Sequence, residues 1–244
     1  MLIDARNVTK AFGAFKAVDD ASVAVEEGDI IGLIGPNGAG KSTFFNCLTG
    51  DLAVTAGTVA FAGKDVTRLP PEARAALGLA RTFQVPLTFE SMSVLDNATI
   101  GALLRHHNAR DARRRARDVL QRVGLGHVID APARSLGTPG RKRLEIARAL
   151  ASEPKVLLLD EAMAGLTPTE IQDAIALVRR IHESGITIVI VEHIMEVIVS
   201  LTRRVVVFHQ GREISRGTPR EVTSDPKVIE AYLGRRKVRH AEGA

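Results

Sequence analysis

The sequence predicts an α/β fold whose sheet is largely parallel and is covered by helices on both faces. Three short apolar runs, at 30–34, 156–159 and 186–191, have the length of buried strands. Segments with helical spacing separate these runs, and buried strands joined by helices form parallel sheets. With 244 residues and 45% hydrophobic residues, the chain can form one large domain of this class or two small ones.

The first sixty residues are predicted to be mostly β-structure. Apolar and polar residues alternate along 2–12 and 57–63, which is typical of half-buried strands. The run at 30–34 stops at Gly35, and a helix is predicted from Lys41 to Gly50, where a glycine ends it. A strand, a glycine-rich loop and a helix therefore follow one another here.

The middle of the chain is predicted to be a helical insert. Residues from about 85 to 150 carry apolar side chains at helical spacing and show few strand signals. Strand signals return after Pro154, and a helix is predicted over roughly 168–183. Residues 203–217 are predicted to form a hairpin that turns at Gln210-Gly211.

Charge and cysteine content exclude several classes of protein. The single cysteine, Cys47, excludes an internal disulfide and indicates a reducing cytoplasm. No apolar run approaches the 18 residues of a membrane-spanning helix, and no secretion signal is recognised at the N-terminus. The net charge of +5 suits polyphosphates, anionic lipids or nucleic acid, but aromatic residues make up only 4%, too few for the stacking surfaces of single-strand binders.

Two basic segments are interpreted as solvent-exposed. The run at 105–118 is predicted to be a solvated helix face, with lipid headgroups or an acidic partner as the next interpretation and nucleic acid as the last. The last ten residues, 235–244, have the composition of a solvated tail.

A phosphate-binding loop is predicted where GPNGAGKST fits the pattern G-x-x-x-x-G-K-[ST]. The glycines let backbone N–H groups surround a phosphate, Lys41 adds a mobile cation, and the Ser42 hydroxyl can bind Mg²⁺. The residues predicted to bind the nucleotide are Gly35, Pro36, Asn37, Gly38, Ala39, Gly40, Lys41, Ser42 and Thr43. Kinases, GTPases and transport ATPases share this loop, but the Asn-Lys-x-Asp string of a guanine site does not occur in the sequence.

Two adjacent carboxylates, Asp160 and Glu161, end the predicted strand VLLLD. Successive residues of a strand point to opposite sides, so the two carboxylates are predicted to do different jobs. Asp160 is predicted to hold Mg²⁺ through water or through Ser42. Glu161 is predicted to polarise a water molecule for attack on the γ-phosphate.

Three further segments complete a recognisable series: RTFQ at 81–84, a turn at 135–140 and VEHIM at 191–195. Together with the phosphate loop and the acidic pair, this order resembles the ATP-binding cassette (ABC) family, the ATPase subunits of ABC transporters. The resemblance runs from about residue 3 to residue 234 and implies an ATPase that uses ATP and Mg²⁺. It also implies a P-loop NTPase (RecA-like) core, an antiparallel β-subdomain and an inserted α-helical subdomain.

The resemblance implies a single ABC ATPase domain over 1–234. The implied core and β-subdomain occupy 1–84 and 154–225, the helical subdomain occupies about 85–153, and a C-terminal extension and tail occupy 226–244.

Several residue roles are implied by the resemblance. Gln84 would sit at the hinge of the helical insert and sense the γ-phosphate and Mg²⁺, and His193 would contact the γ-phosphate. The implied catalytic residues are therefore Glu161, His193 and Gln84, and the implied Mg²⁺ ligands are Ser42, Gln84 and Asp160, the last through water. Phe12 matches the position where the family stacks an aromatic ring on adenine, with core packing as the alternative.

Segments 65–84, 143–166 and 217–234 resemble more specifically the cytoplasmic ATPase subunits of branched-chain amino-acid importers. This implies a peripheral location on the cytoplasmic face of the membrane and partners that include permease subunits, indirectly a substrate-binding protein, and no nucleic acid. Residues 81–90 and the helical insert would form the dock for the permease. The alternatives are another cargo, such as urea, amides or lipid, and a soluble ABC ATPase without a transport role.

The turn at 136–140 departs from the Leu-Ser-Gly-Gly-Gln pattern that is usual in the family. Leu136 is kept, and the other four positions are occupied by Gly137, Thr138, Pro139 and Gly140. In the family this turn completes the ATP site of the opposite subunit, and here the serine hydroxyl and one N–H group are missing. The alternative is that the Thr138 hydroxyl, one residue later, substitutes for the serine. We therefore predict a heterodimer with a second ABC ATPase subunit, with a homodimer as the alternative. Thr167 also stands where the family usually has Asp, at a position implied to link the two sites.

Overall fold

The computed structural model describes residues 1–233 and contains two compact units. The first unit consists of Met1–Pro71 and the chain from Thr187 onward, and the second unit consists of Glu72–Ile186. These limits differ from the 85–153 expected for the helical subdomain. The subdomain limits therefore stay a prediction. The predicted tail at 235–244 lies outside the described residues.

The strands and helices that the sequence patterns predict occur in the predicted order, together with several short elements that the patterns did not indicate. The strands are β1 (Ile3–Phe12), β2 (Phe15–Val25), β3 (Ile30–Ile34), β4 (Ala56–Phe61), β5 (Lys64–Asp65), β6 (Leu79–Arg81), β7 (Val156–Asp160), β8 (Thr187–Val191), β9 (Arg204–His209) and β10 (Arg212–Gly217). The helices are α1 (Lys41–Thr49), α2 (Pro71–Leu77), α3 (Val94–Ala102), α4 (Ala109–Arg122), α5 (Thr138–Ala151), α6 (Pro168–Glu183), α7 (Met195–Leu201), α8 (Pro219–Ser224) and α9 (Pro226–Leu233). The helix that starts at Lys41, the helix over 168–183 and the hairpin that turns at Gln210-Gly211 are confirmed.

An antiparallel sheet forms the N-terminal part of the first unit. Its strand order is β2-β1-β4-β5, and Ile3 on β1 lies opposite Val25 on β2 and Phe61 on β4. These three side chains are almost completely buried. The alternation of apolar and polar residues along the strands places one face of this sheet in the core, as the period of two requires.

A second sheet in the first unit carries the phosphate loop. Its strands lie in the order β10-β9-β3-β8, β3 runs parallel to both β8 and β9, and β9 and β10 form the antiparallel hairpin. All five residues of β3 and of β8 are buried. Continuous apolar strands of this kind need cover on both faces of a sheet.

The second unit combines a pair of parallel strands with a group of packed helices. β6 pairs with β7, with Leu79 opposite Val156. α3 packs closely on α5, where a Cβ atom added to Gly101 would lie 2.0 Å from the carbonyl oxygen of Arg148. The glycine therefore permits the close approach of the two helices, and the predicted helical character of the middle of the chain is confirmed.

The helices of the described chain are short. α6, with 16 residues, begins with a capping box in which Thr167 and Glu170 satisfy each other's backbone N–H groups. Arg113, Arg114 and Arg117 of the basic run lie on the exposed face of α4, as predicted. Among the helices of residues 1–233, none has the length and apolar character needed to cross a bilayer.

Candidate active site

The phosphate loop joins β3 to α1 through glycines in a conformation that other residues rarely adopt. Gly35, Gly38 and Gly40 have φ values of 149°, 77° and 98°. A Cβ atom on Gly35 would lie 2.1 Å from the carbonyl oxygen of Phe208, and one on Gly40 would lie 2.3 Å from that of Ala17. Both positions therefore require glycine, which lets the backbone fold into an anion-binding loop.

Lys41 bends back over this loop. Its side chain is mostly buried, and Nζ donates hydrogen bonds to the carbonyl oxygens of Gly35 at 2.8 Å and Pro36 at 3.1 Å. α1 has no side-chain cap at Gly40 and no acidic residue in its first turn. The ammonium group and the positive end of the helix thus create a local environment that attracts phosphate.

His193 lies at the same sheet edge as the phosphate loop. Leu33 on β3 pairs in register with Val191 on β8, and the two strands are parallel. Gly35 follows Leu33 by two residues, and the exposed His193 follows Val191 by two residues. Since parallel strands end at one edge, the sequence pattern and the register bring the loop and the imidazole to the same side of the first unit.

Phe12 ends β1 with its ring exposed. The residue is 51% exposed, and the ammonium group of Lys10 lies 5.0 Å from the ring centroid. The core-packing interpretation of Phe12 is therefore wrong. An exposed aromatic face of this kind can stack on a base.

The second unit brings Gln84 and Glu161 together. The Gln84 amide Nε2 donates a hydrogen bond to Glu161 Oε2 at 2.7 Å. β7 ends at Asp160, and Glu161 has a left-handed φ of 47°. The prediction that strand alternation separates the two carboxylates is thus corrected, because a turn in the backbone after the strand does so. Non-glycine residues in this conformation are uncommon and cluster at functional sites.

Asp160 is buried beside a cation that the sequence patterns did not single out. Its Oδ2 lies 3.3 Å from Nη2 of Arg81, and its backbone N–H donates to the Thr82 hydroxyl at 3.3 Å. The Arg81 guanidinium also lies 4.4 Å from the ring centroid of Phe83. These contacts hold the Asp160 carboxylate, an oxygen ligand of the kind that divalent cations prefer, at the end of β7.

The sequence patterns also missed two residues of α5. Lys142 Nζ donates to the backbone carbonyl oxygen of Glu161 at 3.1 Å. Glu145 Oε1 accepts from the backbone N–H groups of Phe83 at 3.2 Å and Leu87 at 3.4 Å. Burial raises the pKa of Glu145, against the opposing effect of these hydrogen bonds. The available signal was a carboxylate directly between two apolar residues, Leu144 and Ile146.

Tyr232 on α9 reaches the phosphate loop of the first unit. Burial raises the pKa of its hydroxyl, which accepts a hydrogen bond from the backbone N–H of Gly35. The C-terminal helix is therefore in contact with the first residue of the loop. Nothing in the local pattern around Tyr232 indicated this contact, because it joins residues far apart in the sequence.

The turn at 136–140 forms the exposed start of α5. Gly137 is the N-cap residue in an extended conformation without a side-chain cap, Thr138 begins the helix, and Pro139 follows. The Arg141 side chain fixes the turn by donating to the carbonyl oxygen of Leu136 at 3.0 Å. The exposed N-terminus of a helix of 14 residues can receive an anion from another molecule.

The sequence matches the profiles of two families. The ABC transporter profile matches residues 18–164, and the profile of the branched-chain amino acid ATP-binding cassette transporter matches residues 212–238. The second match covers β10, α8 and α9 together with residues beyond the described part of the chain.

Several named relatives match nearly the whole chain. BraF, the high-affinity branched-chain amino acid transport ATP-binding protein of Pseudomonas aeruginosa, is 35% identical over 96% of this chain and 98% of BraF. LivG of Escherichia coli, which has the same description, is 35% identical over 96% of this chain and 98% of LivG. The lipopolysaccharide export system ATP-binding protein LptB of Escherichia coli is 35% identical over 95% of this chain and 97% of LptB.

Solved structures show the same fold. A nucleotide-free ATP-binding cassette from an ABC transporter superposes with a TM-score of 0.87 at 34% identity, over 96% of this chain and 99% of that one. The ADP conformation of an ATP-binding cassette gives the same TM-score and identity, over 96% and 98% of the two chains. The chain therefore belongs to the ATP-binding cassette family of ABC transporters, and it is an ATP-binding ATPase.

Proposed function

We propose that this chain is the ATP-hydrolysing subunit of an importer for branched-chain or related small amino acids. The observation that carries the proposal is the match of residues 212–238 to the branched-chain amino acid family, in addition to the cassette itself. The names of BraF and LivG support the same cargo. LptB is as similar over most of its length, so lipid remains the alternative cargo that an experiment must separate.

Hydrolysis is assigned to the residues that the resemblance to the family indicates. Glu161 acts as the general base for the attacking water, and Gln84, hydrogen-bonded to it, orients that water. His193 contacts the γ-phosphate and holds it for in-line attack. Phe12 stacks on the adenine, and residues 35–43 surround the phosphates.

Mg²⁺ fits the oxygen donors that these residues offer. The Ser42 hydroxyl, the Gln84 amide oxygen and the Asp160 carboxylate, the last through water, would hold the ion. These are hard donors of the type that Mg²⁺ prefers, and no soft ligand is included. When bound, the ion would neutralise charge on the phosphate oxygens.

We propose that the permease docks on the segment from Arg81 to Glu90 and the neighbouring helices. Val85, Leu87 and Phe89 are exposed apolar side chains in this segment. Asn97 of α3 holds its end by donating to the carbonyl oxygen of Phe89 at 3.0 Å and accepting from its N–H at 2.8 Å. A fixed row of exposed apolar side chains suits a helix of a membrane partner.

The cargo is tested by uptake. The transporter complex, purified through an affinity tag on this chain and reconstituted in liposomes, is expected to accumulate labelled leucine, isoleucine or valine only with internal ATP. Lipid extraction by the same vesicles, without amino-acid uptake, would contradict the proposed cargo. Failure of the tagged chain to co-purify with any membrane protein would favour a soluble ABC ATPase.

We further propose that the chain pairs with a different ATPase subunit. The exposed turn at its α5 N-terminus would close over the partner's ATP. Neither Gly137 nor Pro139 has a side-chain hydroxyl, and Pro139 also lacks a backbone N–H group. Each such hydrogen bond to a charged phosphate contributes about 1.5–3 kcal/mol. In this proposal the partner carries an intact Leu-Ser-Gly-Gly-Gln turn that closes the ATP site of this chain. The site that the turn at 136–140 completes is then the weaker of the two.

The Gly137→Ser variant is expected to strengthen that weaker site. The added hydroxyl can donate to a phosphate oxygen, so nucleotide retention at the partner's site should rise about tenfold. Nucleotide trapping over an ATP titration measures this in the purified complex. The matched control is Gly137→Ala, which adds a methyl group where the nearest atom, Pro139 Cδ, lies 3.9 Å away, and should give no such gain. Equal behaviour of the two variants would contradict the assignment.

Thr167 has a local structural role at the start of α6. As N-cap of α6 it accepts from the backbone N–H of Glu170 at 3.4 Å, while Glu170 accepts from its backbone N–H at 2.8 Å. The hydrogen bonds that the backbone N–H and the side chain of Thr167 donate to the Glu170 carboxylate lower the pKa of that carboxyl group. The cap does not explain the replacement of the family aspartate, because Asp is also a favoured N-cap residue.

A further inference from the structure

Helix α5 is hydrogen-bonded to both loops that carry the proposed catalytic pair. Lys142 and Glu145 are three residues apart, so they lie on the same face of the helix. Only 7% of Lys142 and 3% of Glu145 is exposed. Charged groups are rarely buried to this extent unless they are held by specific partners, and both have such partners within the second unit.

Lys142 fixes the backbone at Glu161. Its ammonium group donates to the Glu161 carbonyl oxygen at 3.1 Å, and this carbonyl belongs to the residue in the left-handed conformation. A charge-assisted hydrogen bond at that oxygen holds the peptide plane in one orientation. The direction in which the Glu161 carboxylate leaves the backbone is set by the same dihedral angles.

Glu145 fixes the loop that carries Gln84. One carboxylate oxygen, Oε1, accepts from the N–H groups of Phe83 and Leu87, which flank Gln84 on either side. The Arg148 guanidinium lies 3.9 Å from the same oxygen and 5.7 Å from the ring centroid of Phe89, so a second contact of α5 reaches the end of this loop. The loop is thus held to α5 at several points around Gln84.

We propose that Lys142 and Glu145 are positioning residues that keep the Gln84 amide and the Glu161 carboxylate within hydrogen-bond distance of each other. Lys142 and Glu145 would thereby maintain the distance of 2.7 Å between Gln84 Nε2 and Glu161 Oε2. Because α5 begins at the turn of 136–140, a displacement of the helix by a partner at that turn is transmitted to both loops together. The proposal rests on the catalytic roles proposed above for Gln84 and Glu161.

The test separates catalysis from ATP binding. The residues proposed to bind ATP through Phe12 and the phosphate loop belong to the first unit, whereas the two positioning residues belong to the second. In the complex purified through a tag on this chain, Glu145→Ala and Lys142→Met are expected to lower kcat on the order of 10–100-fold and to leave KM for ATP unchanged. Glu145→Gln keeps an oxygen acceptor for the two N–H groups and is expected to restore most of kcat.

Two controls on the same helix separate positioning from stability. Arg143→Ala removes a half-exposed ion pair with Asp173 at 3.7 Å and should change kcat by no more than about twofold. Leu144→Ala removes a buried apolar side chain and is expected to lower Tm without a selective loss of kcat.

Each outcome of the test decides one question. If Glu145→Ala and Lys142→Met retain the parent kcat while Glu161→Gln is inactive, the positioning role is wrong and the proposed function stands. If Leu144→Ala loses kcat as steeply as Glu145→Ala at equal Tm, the effect is structural and the inference is overturned. If Glu161→Gln itself turns over ATP at the parent rate, the proposed catalytic role fails first.

Discussion

ATP turnover by the Glu161→Gln variant is expected to fall about 10²–10⁴-fold, while ATP binding is retained. A glutamine amide cannot accept the proton of the attacking water, but it has nearly the same size and can still form a hydrogen bond with Gln84. Phosphate release at saturating ATP measures the rate, and equilibrium binding of a fluorescent ATP analogue measures the affinity.

The matched control for Glu161→Gln is Glu183→Gln at the exposed end of α6. It makes the same chemical change outside the candidate site and should alter turnover by no more than about twofold. Retention of the parent rate by Glu161→Gln would assign the general base to another group.

Lys41→Ala is expected to reduce ATP affinity by about 10–100-fold, with a corresponding loss of turnover at low ATP. The ammonium group is held over the loop by the carbonyl oxygens of Gly35 and Pro36, so it is already positioned for a phosphate. Its removal takes away the cation of the loop but leaves the helix N-terminus. Isothermal titration with ATP measures the change.

Lys64→Ala, on the exposed strand β5 of the first unit, is the control for Lys41→Ala. It removes the same charge at a distant place in the sequence, so ATP affinity should change by no more than about twofold. Equal losses in both variants would mean that overall charge, rather than the loop geometry, determines binding.

Much of the fold follows from local patterns. The continuous apolar runs of β3, β7 and β8 and the glycine that ends α1 were sufficient to place these elements. The limits of the two units could not be predicted in this way, because they depend on which elements pack together rather than on any local sequence signal.

The candidate site was predicted where its chemistry lies in contiguous motifs. The phosphate loop has the required glycine conformations, and Gln84 and Glu161 are in direct contact although 77 residues separate them. Their catalytic roles stay predictions. The alternative of core packing for Phe12 is wrong, because the structure leaves the residue exposed. The sequence could not decide this, since the type of a single aromatic residue does not indicate whether it is buried.

The supporting residues could not be predicted, for a common physical reason. The partners of Arg81 and Glu145, and the contact of Tyr232 with Gly35, depend on long-range pairing of elements. The left-handed conformation of Glu161 is likewise imposed by its surroundings, because glutamate has no intrinsic preference for it. Buried charged residues of this type can be recognised only from the tertiary structure, which shows their partners.

The most direct test of the account measures association as a function of ATP. Glu161→Gln is examined by sedimentation velocity, alone and with the second ATPase subunit that co-purifies with the tagged chain, with and without MgATP. The account predicts that ATP converts protomers into a stable dimer that releases its nucleotide slowly. A Glu161→Gln protomer that binds MgATP and stays monomeric even with the second subunit present would contradict the account.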